Sequence, residues 1–394
     1  MFSTRVPANL APNRLARALT ARRRAGKGII DLTESNPTRA GFEYPRDLLN
    51  PLADPRGLTY APHPLGLVEA RQAVAAEYAR RGQQVDVGRI ALTASTSEAY
   101  SLLFKVLANP GDEVLIPRPS YPLFDLLTTL DGVVPRAYDL EYHGIWSIDF
   151  ASVERALTPL TRAILLVSPN NPTGSIVSAD DMGRLAALCA PRGVSLIVDE
   201  VFADYPLDSG NRVPASVLAR GDVPVFSLGG LSKSIGLPQV KLGWIAAAGP
   251  EPLMSEAFER LELAADSYLS VGTPVQLAAA ELLERGVVMR RQIAARVSRN
   301  YSRLKQIGSS APSCLVLTSE GGWYAVVQVP TFRSEEQLIL DLLDDGVLAH
   351  PGYFFDFPRE SFVIVSLLPP EASFVSGVER LIQRATRVEA GAPA

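Results

Sequence analysis

The chain has 394 residues, with 38 Lys+Arg against 42 Asp+Glu and a formal net charge of −4, a balance without the net basic face that nucleic-acid binding requires. Hydrophobic residues make up 47% and charged residues 20%, which is ordinary globular usage and excludes global disorder. The two cysteines, Cys189 and Cys314, and the three histidines, His63, His143 and His350, lie far apart, so no disulfide framework, CxxC metal site or His-rich zinc site can be built from them.

Residues 1–30 carry no acid but hold Arg5, Arg14, Arg17, Arg22, Arg23, Arg24 and Lys27. That composition fits a transit peptide or, alternatively, an amphipathic first helix with Leu10, Leu15 and Leu19 on one side. From about Ala91 to Trp244, short apolar runs alternate with helical segments. Strands are predicted at Glu113–Pro117, Val133–Leu140, Ala163–Ser168, Val194–Asp199, Val223–Leu228 and Lys241–Ala247, with helices between them at Thr96–Leu107, Pro122–Leu130, Phe150–Leu157 and Ala179–Ala190. Runs such as Ile164-Leu165-Leu166-Val167 are apolar on both faces, as strands of a helix-covered parallel sheet should be. The alternation predicts an α/β sheet with right-handed crossovers. After Pro250 the pattern changes to long helices (Glu251–Leu269, Pro274–Glu284, Val287–Ile307), strands at Cys314–Thr318 and Trp323–Val329, a helix at Glu335–Asp344, a strand at Phe362–Leu368 and a last helix. That reads as a smaller α+β lobe, with ligands expected in the cleft between the two. The longest uncharged apolar stretches fall far short of the ~20 residues of a membrane span, and a cytoplasmic protein is the expectation.

Four segments carry chemistry. Ser95-Thr96-Ser97-Glu98 has capping-box spacing ahead of an apolar helix; the free N–H groups there, with three hydroxyls, make a phosphate seat, although a capped helix with nothing bound has the same sequence. Pro169-Asn170-Asn171-Pro172-Thr173-Gly174 follows a buried strand and presents a carboxamide on a stiff backbone at the edge where open α/β sheets bind ligands; a plain turn is the alternative. Asp199-Glu200 ends another strand, where a buried carboxylate needs a cation or several donors to stay ionised; a structural salt bridge would satisfy it equally. Lys233 follows the Gly229-Gly230 loop and precedes a second lysine, Lys241. A lysine in such a site can have a depressed pKa and form an imine, or can be a solvated loop residue.

In order and spacing these motifs resemble the class I/II aminotransferases, pyridoxal-phosphate enzymes of fold type I, from about Asp31 to the C-terminal helix. The most specific parts are Asn171-Pro172-Thr173-Gly174 and Ser232-Lys233 with Gly236-Leu237-Pro238. The resemblance implies an α/β fold: a mostly parallel, seven-stranded-type sheet flanked by helices, with a smaller α+β domain. Residues 46–285 would form the large cofactor-binding domain and 286–394 the small one, with 1–45 packing on the small domain. It implies pyridoxal 5'-phosphate as cofactor, an amino donor and a 2-oxo acid acceptor as substrates, and a homodimer with active sites at the subunit interface. Residue by residue, Lys233 would be the Schiff-base lysine and Asp199 the partner of the pyridinium nitrogen. Asn171 would bond the ring hydroxyl, Tyr121 would stack on the ring, Ser95, Thr96 and Ser97 would hold the phosphate with Lys241, and Ser232 would be a further cofactor-binding residue. Tyr60 would reach a neighbouring subunit's phosphate. Ser35, Asn36, Arg39 and Asn171 are the candidate substrate contacts.

The sequence departs from the family pattern at several positions. Lys241 stands where an arginine is usual, which keeps the charge but loses the bidentate fork. Gly230 replaces a phosphate-binding hydroxyl, Phe202 a tyrosine donor to the ring hydroxyl, and Ser35 a frequent glycine. Ile364 occupies the place of the arginine that clamps the substrate carboxylate, leaving Arg39 and Arg359 as substitutes. Poor activity with alanine and aspartate is therefore expected, with Trp323, Tyr324, Tyr353, Phe354 and Phe355 as cleft linings for a larger donor. A transaminase is the first reading. A pyridoxal-phosphate lyase or decarboxylating deaminase, and a non-catalytic relative, are the alternatives.

Overall fold

The computed structural model describes residues 2–208, 210, 212 and 214–387. The amino-terminal segment forms the helix Arg14–Arg24 and a two-residue strand, β1 (Ile30–Asp31). Asn13 starts the helix by accepting from the Ala16 N–H. Leu10 therefore precedes the helix and is exposed, while Leu15 is buried, so the expected Leu10–Leu15–Leu19 stripe is cut short by the cap. This helix lies against the helix Glu335–Asp344, joined by Arg14–Glu336 at 3.3 Å and by Arg22 Nη1 donating to the Asp344 carbonyl at 3.1 Å.

The large sheet contains β2 (Ile90–Thr93), β3 (Glu113–Arg118), β4 (Val134–Tyr142), β5 (Trp146–Ile148), β6 (Thr161–Val167), β7 (Ser195–Asp199), β8 (Val225–Gly230) and β9 (Gly243–Ala248), in the order β2-β9-β8-β7-β6-β3-β4-β5. The run from β4 to β8 is parallel. β9 is antiparallel to both β2 and β8, and β5 folds back on β4 as an eighth strand. Neither β2 nor β5 is apparent in the sequence, because four and three residues are too few to establish a period. Side chains along β6 alternate between two apolar layers. Ile164 and Leu166 pack with Met182, Leu185 and Ala186, whereas Ala163, Leu165 and Val167 pack with Leu103, Phe104 and Phe258. Helices thus cover both faces, which is why the central strands carry no polar alternation.

The C-terminal third builds a four-stranded antiparallel sheet from β10 (Leu315–Val316), β11 (Tyr324–Gln328), β13 (His350–Pro351) and β14 (Phe362–Ser366), while β12 (Val347–Leu348) pairs in parallel with β1. The fold class read from the sequence is the one observed, with one strand more than seven in the large sheet.

Candidate active site

Sheet topology brings distant motifs to one edge. β3, β6, β7 and β8 all end there, at Arg118, Val167, Asp199 and Gly230. β2 ends on the same side, and β9, running the opposite way, starts there just after Lys241. Ligands in open α/β sheets sit at this carboxyl edge. A cleft of about 310 Å³ occupies it, lined by Ser35, Ser95, Thr96, Ser97, Tyr121 and Asn171, and by Asp199, Ser232, Lys233, Lys241 and Tyr324 among others.

At one end the helix Thr96–Leu107 points its first turn into the cleft. The Ser95 side chain accepts from Glu98 N at 3.2 Å, but Glu98 reaches past the cap to Ala94 N at 2.6 Å, so the expected capping box closes one residue early. Lys241, exposed and in the left-handed region at φ 59°, stands at the same end of the cleft. A Cβ on Gly230 would lie 3.1 Å from the Leu242 carbonyl and 3.2 Å from Gly243 Cα, so a hydroxyl-bearing side chain there requires the facing backbone to give by a few tenths of an ångström.

Asp199 is 7% exposed. Tyr100 donates to its Oδ2 at 2.9 Å and Val201 N to its Oδ1 at 3.0 Å. Burial nevertheless raises its pKa to about 6, against the pull of those two donors. Tyr100 is a site residue the sequence reading missed; its position four residues after Thr96 on a helix whose first turn faces the cleft was the available signal. Lys233 sits on a one-turn helix, Leu231–Ser234, directly after β8. Its Nζ lies 5.0 Å from the Trp323 ring centre and 5.8 Å from that of Phe202. The residue is partly open to the cleft, yet its ammonium is enclosed, and desolvation lowers its pKa to about 8 with Asp199 opposing. Phe202 is therefore an apolar wall beside the lysine.

Asn171 carries a buried Oδ1 with no hydrogen-bond partner. An unsatisfied buried amide end costs roughly 1–3 kcal/mol, and here it borders the cleft beside Tyr324. Burial raises the Tyr324 hydroxyl to about 12, with Ser35 and Asn171 as its hydrogen-bond neighbours. A carboxylate, an amine, an unpartnered amide and a hydroxyl-rich helix end around one cleft fit the ring nitrogen, aldehyde, ring hydroxyl and phosphate of pyridoxal phosphate.

Other expected site residues lie elsewhere. Tyr60, 77% exposed, lines a second cavity of about 160 Å³ with His63, Tyr268 and Leu269. Asn36 caps its own turn, accepting from Thr38 N at 3.0 Å, and Arg39 and Arg359 are exposed and outside the cleft lining. Ile364 is fully buried in β14 between Val326 and His350. Of the expected aromatic linings, Tyr324 faces the cleft. Trp323 lies buried beneath Lys233. Tyr353, Phe354 and Phe355 are outside the lining, where the Phe355 carbonyl accepts from Ser120 N at 3.0 Å.

The chain is 28% identical over 373 residues to a protein named alanine aminotransferase from Mycobacterium tuberculosis, covering 90% of this chain and 85% of that one. It is 26% identical over 376 residues to the glutamate-pyruvate aminotransferase of Escherichia coli K12, covering 90% and 92%. The solved alanine aminotransferase of Pyrococcus furiosus superposes with a TM-score of 0.88 at 24% identity over 97% of this chain and 99% of that one, a likeness of fold. The profile described as aminotransferase class I and II matches residues 27–372. The chain therefore belongs to that family, the pyridoxal-phosphate-dependent transaminases that move an amino group between an amino acid and a 2-oxo acid.

Proposed function

We propose that Lys233 is the amine that holds the cofactor and moves the proton during transamination. The observation that carries this is the placing, in one cleft, of the Lys233 amine, enclosed against the Trp323 and Phe202 rings, with the buried Asp199 carboxyl, an enclosure that lowers the lysine to about 8. Near neutrality about a tenth of such a lysine is uncharged, enough to act as nucleophile and then as proton acceptor at the donor's Cα. The bound cofactor supplies the electron sink for that carbon. Asp199 would hold the ring-nitrogen end, with Tyr100 fixing the carboxylate. Asn171 would hold the ring hydroxyl and Tyr121 the ring face. The Ser95–Ser97 turn, Ser232 and Lys241 would hold the phosphate.

For the donor we propose an amino acid with an apolar side chain larger than that of alanine. Leu123, Phe124, Leu127, Val201 and Phe202 supply apolar lining, and among the described residues the cations that line the cleft are Lys233 and Lys241, with no arginine in that lining. Ser35 and Tyr324 are then the neutral groups available to the donor's carboxylate. The test is kcat/KM for leucine, methionine, phenylalanine, alanine and aspartate with pyruvate or 2-oxoglutarate as acceptor. The larger apolar donors should lead; a clear lead for alanine would instead match the activity in the relatives' names.

The assembly we propose is a homodimer. Leu58 (91% exposed), Tyr60 and Tyr268 are large apolar side chains left in solvent, and the cavity holding Tyr60 and Tyr268 also reaches Glu98 of the cofactor-end helix. A second copy would cover them. We assign the protein to the cytoplasm, which suits two buried, free cysteines; no helix among the described residues is long and apolar enough to cross a membrane.

A further inference from the structure

A one-turn helix satisfies few of its own carbonyls, and three at the end of the turn bearing Lys233, those of Lys233, Ser234 and Gly236, accept from side chains; the Lys233 carbonyl besides takes a long 3.4 Å bond from Gly236 N. Each is held by a side chain from a different part of the chain. Tyr205 Oη lies 2.6 Å from the Lys233 carbonyl and 3.1 Å from that of Ser234, so its single proton is donated to the nearer, Lys233, and shared with Ser234. Arg290 Nε, from the helix Val287–Ser309, donates to the Ser234 carbonyl at 3.1 Å. Tyr44 Oη, from the amino-terminal segment, donates to the Gly236 carbonyl at 2.6 Å. Tyr205 and Arg290 are 1% and 8% exposed, so these bonds do not compete with bulk water. Packing closes the same turn: a Cβ on Gly236 would meet Ile293 Cδ1 at 2.9 Å and Tyr44 Oη at 3.0 Å.

We propose that Tyr205, Arg290 and Tyr44 are positioning residues for the catalytic lysine, fixing the backbone from which its side chain reaches the cofactor. The proposal rests on the reading of Lys233 given above. A lysine has four side-chain torsions, so a small displacement of its Cα becomes a large error at Nζ, and an error near 1 Å can cost ~100-fold in rate. The cage is itself braced. Arg290 pairs with Glu77 at 2.7 Å and Asp204 at 3.4 Å, and Asp204 precedes Tyr205 in the chain. Arg80 binds the same two carboxylates, so substituting Arg290 leaves neither acid without a cation.

The experiment uses holoenzyme variants Tyr205→Phe, Tyr44→Phe and Arg290→Met, assayed for kcat and KM, with the absorbance of bound pyridoxal phosphate titrated against pH. Tyr205→Phe and Arg290→Met should each lower kcat about tenfold with KM within about twofold, and should move the titration midpoint. The double variant should lose less than the product of the two, because both donors share the Ser234 carbonyl. A lower melting temperature with kcat within twofold of wild type and an unmoved midpoint would overturn the proposal, as would a loss confined to KM. If Arg290→Met does not fold, the two tyrosine variants, each lacking a single oxygen, decide the question by the same criteria. Borohydride trapping is run on the wild type alongside: label on a residue other than Lys233 overturns the reading of the lysine and the cage with it, whereas label on Lys233 with unchanged variants overturns the cage alone.

Discussion

Asp199 shows how much the fold gives up to keep a charge in the cleft. Its carboxyl binds a proton more tightly in the folded state, near pH 6, than at its ordinary value of 3.8. Folding stability therefore falls as pH rises from about 3.8 to about 6, and the penalty is complete above that. Asp199→Asn removes the charge but keeps an acceptor for Val201 N and a partner for Tyr100. The apoprotein variant should be more stable than wild type by about 2–3 kcal/mol at pH 7.5 and by less at pH 5, as read from urea unfolding at the two values. Its transaminase turnover should fall by orders of magnitude. A variant less stable than wild type at pH 7.5 would mean that Asp199 is a structural carboxylate. In the sequence, Lys233, Asp199 and Asn171 were legible because each sits in a motif at a strand end. Tyr100 was legible only as a cleft-facing position, four residues after Thr96 on its helix; nothing in Ala99-Tyr100-Ser101 marks its partner as a carboxylate.

Between elements, the loop presenting Asn171 is held from behind. Gly174, at φ +69°, packs so tightly against the segment 319–322 that a Cβ would lie 1.8 Å from Ser319 Oγ and 2.7 Å from the Gly321 carbonyl. Gly321 N and Glu320 N both donate to the Gly174 carbonyl at 3.0 Å. Gly174→Ala combines a left-handed backbone with this clash and should cost about 2–4 kcal/mol while weakening pyridoxal-phosphate binding through Asn171. Gly183→Ala, inside the helix Ala179–Cys189 with nothing within 4 Å of the added methyl, should instead stabilise by about 0.5–1 kcal/mol. Thermal unfolding of both variants checks the pair, and equal effects would contradict the packing account. At this scale the long, two-sided apolar strands and the 3.6-residue helical repeats gave their positions away. The short strands β2 and β5 did not, and the placement of Arg39 and Ile364 depends on tertiary packing that no local pattern encodes.

The whole molecule leaves its site open beside an exposed apolar patch. If a second copy covers Leu58, Tyr60 and Tyr268, sedimentation should report twice the chain mass, and Leu58→Asp should yield monomer with weakened cofactor affinity. A wild-type monomer that binds pyridoxal phosphate fully would contradict that assembly. The central claim, that Lys233 is the residue joined to the cofactor, has a more direct test. Borohydride reduction of the holoenzyme followed by peptide mass mapping should place one phosphopyridoxyl group on Lys233 and none on Lys241; label on Lys241, or on no lysine of the cleft, would contradict it.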